Sequence, residues 1–442
     1  DFIGCVLQKL KSGDRNSLLS TLAFGTPFIS KTWATYARFC VEKRWPLSSL
    51  SHDPGGTVTK YTSTPNSHWI SSLGVFAQAY GTFLLTGDDK EFLVSGKPLP
   101  VAEIGSVVVT LRDALWYTLW VSDGLVDSTD MGYDGHDSHA TTTRATQLTY
   151  NTKALARALQ QVHDRNGRLK LVDPALFHAP ELFGASSSVR VGPGSAAAAA
   201  DGFLAEASAD LGYDGVAKRG KKSKQFRSRA AELLLKAPSL VPFDVRVRWF
   251  SDGLVRDRME NVGRGGAAEA LGMSAEHHVT VRRGSIFSDA LQQLGPAVFK
   301  QDLMQWRLDN PNERPPGSLK GTIRVRFLNQ HGVDEPGVDG GGLFKDFLSA
   351  LMGEAFDPTI GGLFVETPTR TLYPNPASEQ QVGPDHLKRL EFLGAVLGKA
   401  VYEQILVDVP LAGFFLSKLR DRRPPELNDL SSLDPELYHH LL

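Results

Sequence analysis

The spacing of apolar side chains divides the chain into two differently patterned parts. In the first part, the stretch KTWATYARFC places Trp33, Tyr36, Ala37 and Cys40 on one face at helical spacing. The stretch GSVVVTLRDALWYTLWVS is apolar almost throughout, which predicts a single buried helix. We therefore predict that residues 1–183 form a helical N-terminal region in which helices pack on helices.

The second part contains alternating patterns typical of half-buried strands. In HHVTVRRGSIF, Val279 and Val281 alternate with polar neighbours, and in GTIRVRFLNQ the residues Ile323, Val325 and Phe327 do the same. Each predicted strand precedes a helical pattern, and the later helical patterns are long and apolar. The predicted fold class is mainly α with small β elements, an α+β arrangement rather than a regular βαβ series.

A low-complexity stretch separates the two parts. Residues 184–202, GASSSVRVGPGSAAAAADG, are rich in Gly, Ala and Ser, and a basic run, AKRGKKSKQFRSR, follows them. The basic run has two interpretations: a solvated lead-in to the helix RSRAAELLLKAP, or a patch for nuclear import or an anionic partner. The predicted domains are a helical region at 1–183, a flexible linker at 184–237 and a third region at 238–442.

Composition excludes several classes of protein. The 442 residues include 48 basic and 49 acidic side chains, so no global charge points to nucleic acid or a membrane surface. Only two cysteines are present, Cys5 and Cys40, which predicts a reducing compartment, the cytoplasm first and the nucleus second. We expect no membrane span and no secretory signal. Because the chain starts at Asp1 within an apolar segment and stops after SSLDPELYHHLL, we expect a fragment truncated at both ends.

Two glycine-rich stretches resemble nucleotide-binding loops without meeting their requirements. In GVDGGGLFKDFL, Lys345 stands where a dinucleotide fingerprint needs its third glycine, and no Lys-Ser/Thr pair follows. We interpret these glycines as the entry to an amphipathic helix, with Asp339 as its N-cap. The stretch GAVLGKA has Ala400 in place of the hydroxyl that binds magnesium, and it lies in a helical pattern that places Leu390, Leu393, Leu397 and Val401 in one apolar stripe. The glycines of this helix are expected to admit a neighbouring element.

No pattern in the sequence predicts a metal site, a bound cofactor or a catalytic residue. An acidic segment fails the calcium-loop spacing and is interpreted as a solvated loop; its metal-ligating residue types are Asp127, Asp130, Asp134, His136, Asp137 and His139. No GxSxG elbow occurs. Cys5 and Cys40 lie in apolar helical contexts, which favours buried thiols over activated thiolates.

Several stretches after Pro238 occur in the order typical of one family. They are LVPFDVRVRWF, VTVRRGSIFSDALQQL, IRVRFLNQHGVDEPGVDGGGLFKDFLSAL, LYPNP, FLGAVLGKAVYEQILVDVPLAGFFLSKL and SLDPELYHHLL. Together they resemble the first part of a HECT domain, the catalytic module of one class of ubiquitin-protein ligases. The resemblance is strongest to members with long helical N-terminal extensions. It covers nearly half the chain, and it identifies 238–442 as a partial HECT domain, the N-lobe without the C-lobe.

The resemblance implies a reaction and a set of partners. In this family a C-lobe cysteine accepts ubiquitin from a ubiquitin-conjugating enzyme as a thioester and passes it to a lysine of a protein substrate. Neither cysteine of this chain lies in a Thr-Cys context like the catalytic one, so no residue is carried over as catalytic and the chain alone is expected to be inactive. The matched positions then have architectural roles. They are Arg282 and Arg283 at a strand-to-helix element, Glu335, Gly337, Asp339 and Gly341 in the loop before a helix, and Tyr373, Pro374 and Pro376 in an extended connection.

Two other functions remain alternatives at the level of sequence. The chain could be a non-enzymatic helical scaffold or interaction protein that retains part of the lobe as a binding platform. A nucleotide-binding protein is a third possibility, and it predicts affinity for ATP or GTP. The leading hypothesis is a HECT-type ubiquitin-protein transferase whose helical N-terminal region recruits substrate.

Overall fold

The structure is a computed structural model that describes residues 2–42, 68–121, 138–179, 203–205, 207, 229–270, 276–299, 318–329, 332–335, 342–421 and 427–441. The chain divides into an N-terminal unit, Asp1–Gly253, and a C-terminal unit, Leu254–Leu442. This division falls inside a long helix, and the domain boundaries drawn from the sequence stay predictions.

Helices build the described part of the N-terminal unit. The α-helices are α1 (Phe2–Lys9), α2 (Ser12–Ser20), α3 (Phe28–Glu42), α4 (His68–Thr86), α5 (Asp89–Val94), α6 (Ile104–Trp116), α7 (Ser138–Leu169), α8 (Arg229–Lys236) and α9 (Phe243–Ala270), which continues into the second unit. Short π-helical turns follow α2 and α6, at Thr21–Gly25 and Tyr117–Val121. Three 3₁₀ turns lie at Val101–Glu103, Pro174–Phe177 and Pro238–Leu240.

Two of the helices predicted for this unit, α3 and α6, are confirmed, and their apolar faces are buried. Trp33 and Tyr36 of α3 are 2% and 8% exposed, and α6 buries most of its residues. The predicted single helix over the second stretch changes to a π-helical turn after Trp116. Both helices contribute to one apolar cluster that also contains side chains of α4, α7 and α8.

Helices α4 and α7 run in the same direction and are joined by polar side chains as well as apolar ones. The Asn151 amide donates to the Ser71 hydroxyl at 3.3 Å near one end, and Arg165 Nη2 donates to the Leu84 carbonyl at 3.1 Å near the other. Gly74 makes room for this pairing, because a Cβ there would lie 2.6 Å from Asn151 Oδ1. The register between the two helices is therefore fixed by specific polar contacts inside an apolar interface.

Part of the predicted flexible linker contributes to this core. Phe203, Leu204 and Ala207 are buried in the apolar cluster, as are Ala230 and Leu233 of α8. The low-complexity residues 184–202 and most of the basic run lie outside the described residues.

In its described residues, the C-terminal unit combines helices with two small sheets. Its elements after α9 are β1 (Glu276–Arg282), α10 (Ile286–Val298), β2 (Thr322–Leu328), α11 (Gly342–Phe356), β3 (Phe364–Glu366), β4 (Leu372–Pro374), α12 (Ser378–Val382), α13 (His386–Tyr402), α14 (Gly413–Asp421), a 3₁₀ turn (Leu427–Asp429), α15 (Leu430–Leu433) and α16 (Pro435–Leu441). Strands β1 and β2 are confirmed where the alternation predicted them, with Val279, Val281, Ile323, Val325 and Phe327 buried. The fold class, mainly α with small β elements, is also confirmed.

Strands β1 and β2 pair in parallel, with Val279 opposite Val325, and α10 lies between them in the chain. This βαβ unit could not be predicted from the sequence pattern, because strand alternation carries no information on pairing direction. Strands β3 and β4 form an antiparallel pair in which Phe364 lies opposite Pro374. The side chains of α10, α11 and α13 complete the core on the buried face of the parallel pair.

Candidate functional site

The region that the sequence motifs single out is the junction between β1 and α10. Arg282, the last residue of β1, donates from Nε and Nη2 to the two carboxylate oxygens of Asp289 at 3.0 and 2.6 Å. The backbone N–H of Arg282 donates to the same carboxylate at 2.9 Å. These hydrogen bonds hold the pKa of Asp289 below its ordinary value. One carboxylate in the first turn of α10 therefore fixes the end of the strand to the start of the helix.

A second carboxylate accepts a hydrogen bond at the N-terminus of α10. The Phe287 N–H donates to Glu354 Oε2 of α11 at 3.2 Å, while Ser285, at the N-cap position, makes no side-chain capping bond. A carboxylate at this place satisfies a free N–H and interacts favourably with the helix dipole. Helices α10 and α11 are thus joined by a polar contact beside their apolar one.

Arg283 fastens the loop after β2 to the end of β1. Its guanidinium donates to the Glu335 carboxylate, with the shortest distance 2.7 Å, and lies 3.9 Å from the centre of the Phe327 ring. The Glu335 N–H donates to the Phe327 carbonyl at 3.0 Å. The pKa of Glu335 is lowered by the hydrogen bond from Arg283. The architectural roles predicted for Arg283 and Glu335 agree with this geometry.

The LYPNP stretch is organised by an asparagine that its sequence pattern does not single out. Tyr373 and Pro374 lie in β4, whereas Pro376 lies in the turn after it rather than in an extended connection. Asn375 is 6% exposed, and its amide donates to the Gly362 carbonyl at 3.0 Å. Its Oδ1 accepts from the Ala377 N–H at 2.9 Å. Asn375 therefore closes the turn that the flanking prolines only restrict.

Helix α13 contains a buried lysine. Lys399 is 4% exposed, and its Nζ donates to the Gly321 carbonyl at 2.8 Å and to Glu403 Oε1 at 2.5 Å. Burial lowers the pKa of Lys399, and the carboxylate of Glu403 opposes this shift. The amphipathic pattern alone could not identify this residue, because a lysine is counted as polar unless its partners are known.

Two predictions about α13 are wrong. The predicted apolar stripe is wrong at Val401, which is 51% exposed, whereas Leu393 is buried and Leu390 and Leu397 pack against the apolar cluster. The buried face also includes Phe392, Val396 and Lys399. Its glycines, Gly394 and Gly398, were expected to admit a neighbouring element. Among the described residues, however, no atom beyond the helix backbone lies within 4 Å of a Cβ built at either position. The helix itself, running unbroken through GAVLGKA, is confirmed.

Helix α11 starts where the triple glycine ends. Gly342 is its first residue, and Phe347, Leu348, Leu351 and Met352 are buried on its inner face. The predicted amphipathic helix is confirmed. The N-cap role of Asp339 and the positions of Gly337, Gly340 and Gly341 fall outside the described residues.

Nothing in the described ranges forms a recognisable catalytic or metal centre. No group of three or more His, Cys, Asp or Glu side chains there is placed to hold a metal ion. Ser378 and His386 are in contact, with Oγ and Nδ1 2.9 Å apart, but Ser378 is 3% exposed at the start of α12, so the pair ties α12 to α13. Cys5 and Cys40 lie in α1 and α3, although their side chains are not described. The acidic segment around Asp130 is also outside the described residues.

Similarity to known proteins distinguishes between the functions that the sequence left open. The family described as HECT-domain (ubiquitin-transferase) matches residues 349–442. The E3 ubiquitin-protein ligase UPL6 of Arabidopsis thaliana is 31% identical over 428 residues, which cover 96% of this chain and 35% of that protein. Ubiquitin-protein ligase E3B of Mus musculus is 35% identical over 221 residues, covering 49% of this chain and 18% of that protein. These matches support a HECT-type ubiquitin ligase, with the HECT family matched at residues 349–442.

The chain covers only part of the length of each of these relatives. E3 ubiquitin-protein ligase HUL5 of Saccharomyces cerevisiae is 30% identical over 231 residues, covering 51% of this chain and 23% of that protein. The chain spans about a third of the length of the plant relative and less than a quarter of the mouse and yeast ones. Because the family match begins at 349, the start of the HECT region at 238 stays a prediction. The similarity to the plant relative extends through the N-terminal helices as well.

Proposed function

We propose that the protein containing this HECT chain is a ubiquitin-protein transferase. It accepts ubiquitin from a conjugating enzyme as a cysteine thioester and transfers it to lysines of protein substrates. The observation that carries the proposal is the similarity over 96% of the chain to a plant E3 ubiquitin-protein ligase, together with the HECT match at 349–442. No observation on the described residues favours the alternative of a non-enzymatic scaffold.

The C-terminal unit contributes support rather than chemistry to this reaction. Its described side chains form carboxylate–arginine contacts that join strand ends, loops and helices, as Asp289 and Glu335 do. An enzyme that passes ubiquitin between two sites needs one rigid part relative to which the other part can move. We assign that supporting role to the C-terminal unit and a substrate-recruiting role to the N-terminal helices.

The partners and location follow from the same proposal. The partners are a ubiquitin-conjugating enzyme, ubiquitin and protein substrates, with no nucleic acid and no membrane. In the part of the chain that the structure describes, no helix is sufficiently long and apolar to cross a bilayer. The low cysteine content supports a reducing compartment, the cytoplasm with the nucleus as a second location.

The test is ubiquitin loading of the complete protein. Incubation with an activating enzyme, a panel of conjugating enzymes and labelled ubiquitin should give a ubiquitin adduct that disappears on treatment with a reducing thiol. The 442-residue chain, tested in parallel, should give none. Failure of the complete, folded protein to form this adduct with any conjugating enzyme would refute the transferase proposal.

A further inference from the structure

One histidine lies on the buried face of β1. His277, Val279 and Val281 are buried, and the residues that alternate with them are exposed or half-buried. His277 is 7% exposed, whereas the side chain of the next residue, His278, is 74% exposed. Burying a charged group costs free energy unless an opposite charge pairs with it. Protonation of these two adjacent histidines should therefore affect the fold very differently.

The His277 ring binds the turn that leads into β2. Its Nε2 atom lies 3.0 Å from the Ser318 carbonyl oxygen. Because a carbonyl oxygen only accepts, Nε2 carries the proton, and a second proton on the ring would go to Nδ1. The same carbonyl accepts from the Gly321 N–H at 2.9 Å, which closes the turn. The imidazole therefore joins the start of β1 to the turn that precedes β2.

A buried lysine binds the same turn from α13. Lys399 Nζ donates to the Gly321 carbonyl at 2.8 Å and to the Lys320 carbonyl at 3.5 Å. Leu319, in the middle of the turn, packs against the apolar cluster of this unit. The turn is thus held by two basic side chains, those of His277 and Lys399, and by one apolar residue.

The charged groups that face His277 in the described residues are cations. Burial is the largest cause of the lowered pKa of His277, and the hydrogen bond with Ser318 opposes it. The positive charges of Lys399 on α13 and His278 on β1 lower this pKa further. The nearby carboxylates pair with other cations: Glu403 with Lys399, Asp257 with Lys320, and Glu276 with Arg324. A second proton on His277 would therefore meet no carboxylate of its own there.

We propose that protonation of His277 releases the turn 318–321 from β1, so that the start of the parallel sheet opens on mild acidification while its other end stays closed. The neutral ring can stay buried against the turn. The charged ring, close to Lys399, is more stable where it reaches water. Because β1 and β2 are parallel, both strands begin at this end, and both lose a contact when the turn moves away.

The two ends of the sheet respond in different ranges of pH. A histidine whose folded pKa is lowered contributes its full stability above the unfolded value of about 6.5, and that stability is lost as the pH falls towards the folded value. At the other end, the pKa of Asp289 is lowered from its ordinary value of about 3.9, so the Arg282–Asp289 pair stays charged at pH 5. Mild acidification therefore acts on one end of the sheet.

The test is hydrogen–deuterium exchange of the 442-residue chain between pH 7.5 and pH 5, with rates corrected for the intrinsic pH dependence of amide exchange. The peptide that contains the turn and Thr322–Leu328 should lose protection below about pH 6.5, by up to about tenfold per pH unit. The peptide that contains the start of α10 should keep its protection. Equal behaviour of the two peptides, whether both keep or both lose protection, overturns the proposal.

Matched variants assign the effect to one ring. His277→Gln keeps an N–H donor for the Ser318 carbonyl but cannot take up a proton, so its turn peptide should be as protected at pH 5 as at pH 7.5. His278→Gln removes the exposed imidazole, and its turn peptide should still lose protection. An undiminished loss in folded His277→Gln contradicts the proposal. If that variant does not fold, the comparison of the two peptides in the unchanged chain still decides.

Discussion

The N-terminal and C-terminal units fix their internal geometry by different means. The N-terminal unit buries an extensive apolar cluster between helices, including Trp33, Phe76 and Tyr80, and sets helix register by polar contacts within it. The C-terminal unit has a smaller apolar cluster around a two-stranded sheet, and arginine–carboxylate pairs join its strand ends to loops and helices. The contrast teaches that one unit depends mainly on packing, whereas the other adds directional contacts where its short strands end.

The largest expected effect is the loss of an aromatic ring from the N-terminal core. Phe76 is fully buried, with its ring 5.7 Å from Trp33 and 5.5 Å from Tyr80. Phe76→Ala should lower the free energy of unfolding by about 3–5 kcal/mol, measured by urea denaturation, because the cavity cannot fully collapse. Phe24→Ala is the control, since Phe24 is 51% exposed, and it should cost much less. Equal losses would contradict a packing-dependent unit.

A single methyl group should distinguish close helix packing from open helix surface. A Cβ on Gly74 of α4 would meet the Asn151 amide, so Gly74→Ala should destabilise the chain by about 1–3 kcal/mol. On α13, Gly394 has open space among the described residues, and Gly394→Ala should stabilise by up to about 1 kcal/mol through helix propensity. Urea denaturation of both variants checks the opposite signs. A loss of stability in Gly394→Ala would mean that α13 is covered there.

The stability contributed by the Arg282–Asp289 pair, which joins β1 to α10, should depend on pH. Asp289→Asn should lower the free energy of unfolding by about 1–2 kcal/mol at pH 7, because the paired charge-assisted hydrogen bonds are lost. The folded state lowers the pKa of Asp289, so its contribution is present above the unfolded value of about 3.9 and is lost as the pH falls through the lower folded value. Denaturation of both proteins between pH 7 and pH 3 should therefore show the difference shrinking at the acidic end. A difference that grows on acidification would refute the assigned ionic tie.

The smallest effect is expected from an exposed pair on the same sheet. Arg326 and Asp334 form a side-chain ion pair, but both side chains are largely in solvent. Asp334→Asn should leave the urea midpoint unchanged within error, since water and salt screen such pairs. A loss of stability as large as that of Asp289→Asn would mean that solvent exposure does not predict which ion pairs stabilise the fold.

The sequence predicted the elements better than the contacts between them. Alternation located β1 and β2, and helical spacing located the buried faces of α3 and α11, because burial follows the period of each element. The parallel pairing and the burial of Lys399 could not be predicted in the same way. Both depend on residues distant in the chain, such as Gly321, whose carbonyl accepts from the lysine.

The motifs of the C-terminal unit show the same limit. Asn375 and Asp289 look like ordinary polar residues in sequence, and only the fold brings each to the backbone groups that it satisfies. Conversely, Gly394 and Gly398 suggested close packing that the described residues do not show. Family resemblance identified the region, whereas physical roles had to be read from the contacts.

We propose that this chain supports ubiquitin transfer without supplying the reacting thiol. The most direct test replaces both of its cysteines, Cys5→Ser and Cys40→Ser, in the complete protein and measures the thiol-sensitive ubiquitin adduct. The account predicts an adduct in the same yield as in the unchanged protein, with thermal unfolding measured to confirm that the variant is folded. Loss of the adduct in a folded variant would place the reacting thiol in this chain and contradict the account.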